Sequence, residues 1–444
     1  MATDQAGLDL SCDSDATAKL FDEAVTAYLG FSRATGPCAK SLLTSEPTMP
    51  MGNVLMGYFL MLMGVRPLVS RAERSLATAR EHETVVTDRE RGHMAALAAW
   101  TRNDLAGAVT HWEAILIDSP RDLLAAKMAH FGHFYLGNPQ QIRDSIARVL
   151  PAWSETDPDF GFLLSMYAFG LEETGDYAAA EDFGRKAVGM NPADSWGVHA
   201  VAHVLETQDR HAEGIEWLTG LEPTWSAANN FRYHLAWHRT LYYMARGDAE
   251  KALELYDETV WDPQANEYLD LCNDVALLAR LDMAGIDTGD RWQQLGEVLS
   301  KHTQVNIFNF IDAHYALGLA AAGHQSAAAK MINDLADQLS DDWDPNDSHL
   351  EVAAKVGFTL SRAMVAYAHD EHAHVVELML PIRYDIQLIG GSHAQRDLFG
   401  QLLIDAAIKS EQLRLARALL AERVALKPNN PAARQQYKAL AAQL

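Results

Sequence analysis

Two stretches decide the fold: Gly92–Pro120, "GHMAALAAWTRNDLAGAVTHWEAILIDSP", and Leu163–Pro192, "LLSMYAFGLEETGDYAAAEDFGRKAVGMNP". In the first, Ala96, Asn103-Asp104, Ala108, Trp112 and Pro120 stand at a small, a turn, a small, an aromatic and a closing position. In the second, Ala168, Gly175-Asp176-Tyr177, Ala180, Ala187 and Pro192 fill the same frame. Small residues let two helices of a unit approach closely, and the proline stops the second helix before the next unit begins. Both stretches match the tetratricopeptide pattern of helix, turn, helix.

Working outward, short turns fall at Asn103-Asp104, Gly137-Asn138, Gly175-Asp176, Asp209-Arg210 and Gly247-Asp248, spaced alternately by 34 and 38 residues. Apolar residues between them keep helical spacing, and strand-like alternation is almost absent. The register predicts helical pairs at about 53–80, 88–118, 121–150, 159–190, 193–220, 229–260, 265–300, 306–338, 350–388 and 393–426, with a polar capping helix over 430–443. The expected fold class is all-α: a tetratricopeptide-type α-solenoid, a superhelix of antiparallel helix pairs. No linker-like composition divides it, so residues 16–444 read as one continuous repeat domain behind a disordered segment, 1–15. The loosest stretch is Leu339–Glu351.

Composition narrows the partners. With 60 acidic against 36 basic residues the chain carries a formal charge of −24, which repels phosphate backbones and anionic lipid. Neither nucleic acid nor membrane is expected as a partner. The most apolar window, Asn53–Val65, is too short for a span before Arg66, Pro67 and Arg71 interrupt it. The N-terminus lacks the basic patch and apolar run of a signal peptide, and the three cysteines (Cys12, Cys38, Cys272) form no paired motif. A cytoplasmic protein is expected.

Longer strings go beyond a generic repeat: "RDLLAAKMAHFGHFYLG", "DSWGVHAVAHVLE", "YHLAWHRTLYYMARGD", "FNFIDAHYALG" and "LPIRYDIQLIGGSHAQRDLFGQLLIDAA". In this order they resemble the tetratricopeptide repeat protein 38 family over nearly the whole chain. The resemblance implies an all-helical repeat fold and brings no activity, cofactor or residue role. Leu235 and Ala236 depart from the Asn-Tyr that the family tends to carry between the first histidine and the tryptophan.

The chemistry concentrates in "SWGVHAVAHVLETQ", Ser195–Gln208. In a tetratricopeptide unit the first helix faces the concave groove, and the register places Trp196, His199, His203 and Glu206 on that face. The next unit adds His234 and Trp237, with His238 one position aside. His93 takes a groove position in an earlier unit, and His314, beside Asp312, sits where His238 does in its own. His130 and His133 flank Phe131 and Phe134 and read as structural.

Three chemical readings stay open beside a purely structural one. A divalent metal, zinc or iron, suits His199 and His203 at i, i+4 with Glu206 and His238. This is not the HExxH arrangement, because Ala200 stands where the glutamate base would be. Acid–base catalysis suits His199, His203, Glu206, His234, His238, Asp312 and His314, since a carboxylate fixes a histidine's tautomer and raises its basicity. No nucleophile elbow or plausible cysteine accompanies them, so an enzyme here would be a non-covalent hydrolase or lyase. Binding alone suits His93, Trp196, Trp237, Arg383 and Arg396, with apolar walls and basic groups to orient a small polar or aromatic ligand. Gly390-Gly391 with the Ser392 cap reads either as an anion site reinforced by Arg396 or as a helix junction with Arg383 and Arg396 paired to Asp385 and Asp397. The rival function is a scaffold holding a peptide or protein along the groove. A homodimer is the expected assembly.

Overall fold

The left-handed turn is the device that repeats. In the computed structural model, which describes residues 2–442 except 83, 266, 304–305, 341 and 428–429, all five turn positions expected from the spacing have positive φ: Asn103 at 62°, Gly137 at 66°, Gly175 at 87°, Asp209 at 59° and Gly247 at 83°. Glycine enters this region freely, and asparagine and aspartate tolerate it better than most residues. At three of the turns the next residue is an aspartate that caps the following helix: Asp104 accepts from Gly107 N–H at 2.7 Å, Asp176 from Ala179 at 3.4 Å and Asp248 from Lys251 at 3.2 Å. The cap satisfies amides that the first helical turn leaves unpaired.

Helices follow in order. α1 (Asp15–Leu29) and α2 (Thr35–Ser45) precede the expected array. Then come α3 (Pro50–Leu62), α4 (Val69–Arg80), α5 (Asp88–Trp100), α6 (Leu105–Asp118), α7 (Leu123–Tyr135), α8 (Pro139–Val149), α9 (Phe160–Glu173) and α10 (Tyr177–Met190). They are followed by α11 (Ser195–Thr207), α12 (His211–Gly220), the single turn α13 (Glu222–Trp225), α14 (Phe231–Ala245), α15 (Ala249–Leu255), α16 (Tyr268–Met283) and α17 (Arg291–Leu299). The last are α18 (Asn309–Ala321), α19 (Gln325–Ser340), α20 (Ser348–Val352), α21 (Phe358–Ala368), α22 (His372–Ile382), α23 (His393–Lys409), α24 (Leu413–Leu426) and α25 (Pro431–Ala441). The fold is an all-α helical repeat of tetratricopeptide type, and each expected pair appears near its expected position. Residue 443 of the expected cap and residue 1 of the expected disordered segment lie outside the described residues.

Residues 2–14, within the segment read as disordered, carry a short antiparallel pair, Ala2–Thr3 with Asp9–Leu10, and Leu10 is fully buried. Asp4 accepts the amides of Ala6 and Leu8 at 3.0 and 2.9 Å and so folds the intervening turn.

The chain divides into two compact units. The first comprises Met1–Val201, Leu221–Arg232 and Asp344–Glu351; the second comprises Ala202–Gly220, Tyr233–Trp343 and Val352–Leu444. In the first, the small positions of the repeat pattern do what it requires: Ala96, Ala108, Ala168, Ala180 and Ala187 are wholly buried. A Cβ on Gly170 would lie 2.6 Å from the Arg143 backbone, so α9 and α8 touch through the glycine. Trp112, also wholly buried, donates its Nε1–H to Tyr58 Oη at 2.9 Å. In the second unit, α18 packs between neighbours with nearly all its residues buried, from Asn309 to Ala320. Among the described residues no helix is long and apolar enough to cross a membrane, and the three cysteines are unpaired.

Candidate functional site

Within the second unit, three histidines converge. His203 comes from α11, and His234 and His238 stand one turn apart on α14; their exposures are 1%, 7% and 0%. Spacing of i, i+4 puts two side chains on one helix face. The His203 and His238 ring centroids are 4.5 Å apart, and those of His234 and His238 are 4.7 Å apart. One ring nitrogen from each of the three lies within 4.8 Å of the others.

Hydrogen bonds fix how two of these rings face. His238 Nδ1 lies 3.3 Å from Glu206 Oε2, and His234 Nδ1 lies 3.3 Å from Asn273 Oδ1 on α16. A carboxylate and an amide oxygen only accept, so with the Asn273 oxygen turned to His234 each Nδ1 donates. Each Nε2 then presents a lone pair, and the two Nε2 atoms face each other at 3.2 Å. Two lone pairs at that distance repel unless a proton or a cation sits between them. Burial holds His203 and His234 well below the usual histidine range, and burial together with the Arg280 charge takes His238 down to about 3. The rings are neutral at neutral pH, so an imidazolium proton does not resolve the contact.

Trp237, wholly buried, backs the cluster. Its ring stacks on His234 at 5.3 Å and 14°, and the Arg280 guanidinium lies 5.6 Å from its centroid.

Glu206 also faces a cavity of about 290 Å³ lined by His211, Arg280, Asp397, Arg423 and Lys427 among others. Its second oxygen lies 3.8 Å from Lys427 Nζ. Asp397 is held by both Arg423 guanidinium nitrogens, the longer contact being 2.9 Å. Burial would raise the Asp397 carboxyl, but Arg423 and Lys427 overturn that and hold it far below the carboxylate range. Arg280 gives its two terminal nitrogens to the carbonyls of Ala276 and Ala394, each at 3.0 Å. The walls are thus charged in both signs and anchored.

Other expected site residues have further surroundings of their own. His199, one turn before His203 on α11, belongs to the first unit, where its ring stacks on Phe169 at 5.5 Å and packs against Trp196 at 4.7 Å. Trp196, His199, His203 and Glu206 are at most 8% exposed, so the residues read as lining an open groove are enclosed. His93 is a hydrogen-bonded core residue: Nδ1 meets Tyr58 Oη at 3.0 Å and Nε2 meets Asp122 Oδ2 at 3.0 Å.

Asp312 and His314 do not act as a pair in the second unit. Asp312 accepts the backbone and side-chain N–H of Asn306 at 3.1 and 2.9 Å, while His314 Nδ1 donates to the Phe310 carbonyl at 2.7 Å. Two residues apart on a helix, they point in different directions. The Gly390-Gly391 junction carries Ser392 in a capping box with Gln395, and Arg396 donates to the Gly390 and Gly391 carbonyls. Asp397 pairs with Arg423, where the sequence suggested Arg383 or Arg396, and Arg383 lies 3.5 Å from Glu422.

Asn273, Arg280, Arg423 and Lys427 also belong to this site, although nothing near the histidines in the sequence points to them. Asn273 and Arg280 come from α16, Arg423 from α24 and Lys427 from just past its end; only a polar residue inside an apolar helix, as with Asn273 in "YLDLCNDVALLARLDM", is a signal.

No family model matches the chain. Among solved structures it is similar to a Rap protein complexed with competence and sporulation factor, at 11% identity and TM-score 0.41, over 90% of this chain and 100% of that one. It is also similar to the human IFIT1 dimer with m7Gppp-AAAA, at 14% identity and TM-score 0.40, over 98% and 96% of the two chains. The TPR domain of P58(IPK) follows at 12% identity and TM-score 0.23, over 80% of this chain and 98% of that one.

Proposed function

We propose that the second unit binds a divalent transition metal through His203, His234 and His238, and that the cavity walled by Glu206 takes a small polar ligand. The observation that supports it most is the 3.2 Å approach of two Nε2 atoms whose Nδ1 protons are already committed. Two nitrogens on one tetrahedral zinc, each about 2.05 Å from the ion, stand about 3.3 Å apart. Glu206 and Asn273 take the place of the outer partners that orient metal-bound imidazoles and raise their basicity. Glu206 therefore acts from behind His238, where the sequence suggested direct ligation. By its position one turn before His203, His199 is the next candidate to test.

Three neutral histidines suit zinc or iron(II), and a bound ion with an open position supplies a polarised oxygen or an activated water. The chain's own part is to hold the imidazoles neutral and to set charged groups of both signs along the cavity. A hydrolase or lyase reaction on a small polar compound is the activity this favours. Burial of Trp196, His199 and His203 favours a small ligand over a peptide held along these helices. The relation to the tetratricopeptide repeat protein 38 family, resting on the five strings quoted above, belongs to the same proposal, as does a cytoplasmic setting.

Elemental analysis of the purified full chain tests it, followed by cobalt(II) titration of the metal-stripped protein. About one ion per chain and a tetrahedral cobalt spectrum, both lost in His238→Ala and His234→Ala, are expected. A folded protein that neither carries nor takes up zinc or cobalt overturns the metal reading.

A further inference from the structure

A second cluster of unusual buried groups lies in the first unit, around Lys127. α7 carries Lys127 and His130 three residues apart, hence on one face. Lys127 is 1% exposed, and its Nζ stands 4.7, 4.3 and 4.5 Å from the ring centroids of Phe31, Phe131 and Trp196. Among the described residues no carboxylate lies within ion-pair distance of it. Asp194, the charge that acts on it from α11's start, spends Oδ1 on the amides of Trp196 and Gly197 at 3.1 and 3.2 Å.

Its neighbours are unsatisfied as well. Both ring nitrogens of His130 and the Nε1 of Trp196 have no hydrogen-bond partner among the described residues, although the two side chains are 0% and 4% exposed. The His130 and Trp196 rings meet edge-on at 5.6 Å. Native interiors pair nearly all such groups. An amine, an imidazole and an indole N–H left over around one aromatic box indicate room in its chemistry for another molecule.

Phe31 is set over this box against its own backbone preference. It has φ 52°, rare for a bulky residue. A bridge between Ser32 and Ala228 and a 2.7 Å bond from Asn229 N–H to the Phe31 carbonyl hold it there. The ring stacks on Phe231 at 4.2 Å and is half-buried, so it forms the outer wall. Strain of this kind costs about 1–3 kcal/mol and collects at functional positions.

We infer that Lys127 is the reactive amine of a second site, one that condenses with the aldehyde or ketone group of a small aromatic or apolar compound to form a Schiff base. The Nζ lone pair adds to the carbonyl carbon, and the oxygen takes a proton. The nitrogen lone pair then forms the C=N bond as that oxygen, taking a second proton from solvent, leaves as water, and the nitrogen is left as a cationic iminium. His130, kept neutral chiefly by burial, carries the first proton from nitrogen to oxygen. Three ring faces around Nζ stabilise the cationic iminium once it forms. Burial also brings the amine down to about 7, opposed by Asp194, so a large share is the free nucleophile at neutral pH. The inference stands on first-unit residues alone, independent of the metal.

The experiment treats the full chain at pH 7 with benzaldehyde and sodium cyanoborohydride, then maps the labelled lysines by mass spectrometry. Lys127 is expected to label at least about tenfold faster than exposed lysines, whose amines are almost wholly protonated at that pH. Labelling should vanish from that peptide in Lys127→Arg, and Phe31→Ala, which thins the outer wall, should quicken it in the wild-type lysine. Labelling confined to surface lysines in both wild type and Phe31→Ala overturns the inference. Stabilisation by benzoate without benzaldehyde labelling also overturns it, because Lys127 would then be a charged anchor for an anion.

Discussion

Glu206 and His238 are joined at 3.3 Å, carboxylate oxygen to Nδ1, while the other Glu206 oxygen turns to Lys427 at 3.8 Å. One side chain thus ties the histidine cluster to the cavity wall. Glu206→Gln keeps the size but offers either an oxygen or an N–H to His238. Loss of this outer partner is expected to weaken zinc affinity by about 10–100-fold, measured by chelator competition, with helicity unchanged. An unchanged affinity would count against Glu206 as the orienting group.

Arg423 and Asp397 form the two-pronged pair that closes one side of the same cavity. Each side chain is 19% exposed, between a surface pair and a fully buried one. Arg423→Met leaves Asp397 with Lys427 as a remaining charge partner and should destabilise the chain by about 2 kcal/mol in urea unfolding. The double change Arg423→Met with Asp397→Leu should recover a large part of that, since removing both charges removes the unpaired one.

The repeat was legible because its determinant is local. A left-handed residue followed by a capping aspartate is written in adjacent letters, as in Asn103-Asp104 and Gly175-Asp176, and small residues mark where helices touch. The i, i+4 histidines of α14 were legible for the same reason. What they face was not, because Asn273, Arg280 and Asp397 arrive from helices that only the tertiary packing brings close. Asp312 beside His314 misled in the opposite direction, since neighbours in sequence on a helix diverge in space. Lys127 gave no signal at all: a lone lysine in "LLAAKMAHFGHFY" becomes unusual only when Phe31 and Trp196 surround it.

Stability at alkaline pH should report on Lys127. Its folded pKa, about 7, lies below the ordinary lysine value because burial penalises the charge, so between these values the unfolded chain binds the extra proton. Stability attributable to this group therefore rises as pH climbs from about 7 towards 10 and is constant below 7. Wild type should gain on Lys127→Met across that window, by at most about 4 kcal/mol, in urea unfolding at stepped pH. Parallel curves for the two proteins would mean that the ammonium stays charged among the rings.

Gly391 carries a load that its position in the Gly390-Gly391 junction only half announces. Its φ is 83°, and a Cβ there would lie 2.7 Å from Cε2 and 2.9 Å from Cδ2 of Phe310. Strain in the left-handed region and the clash with a ring that is only 4% exposed act together. Phe310 cannot swing away freely, because its carbonyl takes the His314 Nδ1–H and its ring packs against that imidazole at 4.3 Å. Gly391→Ala should therefore cost about 2–4 kcal/mol in urea unfolding, whereas Gly247→Ala, with similar φ but open space around it, should cost about 1–2. Equal losses at the two positions would show that the backbone, and not the packing on Phe310, sets the requirement for glycine.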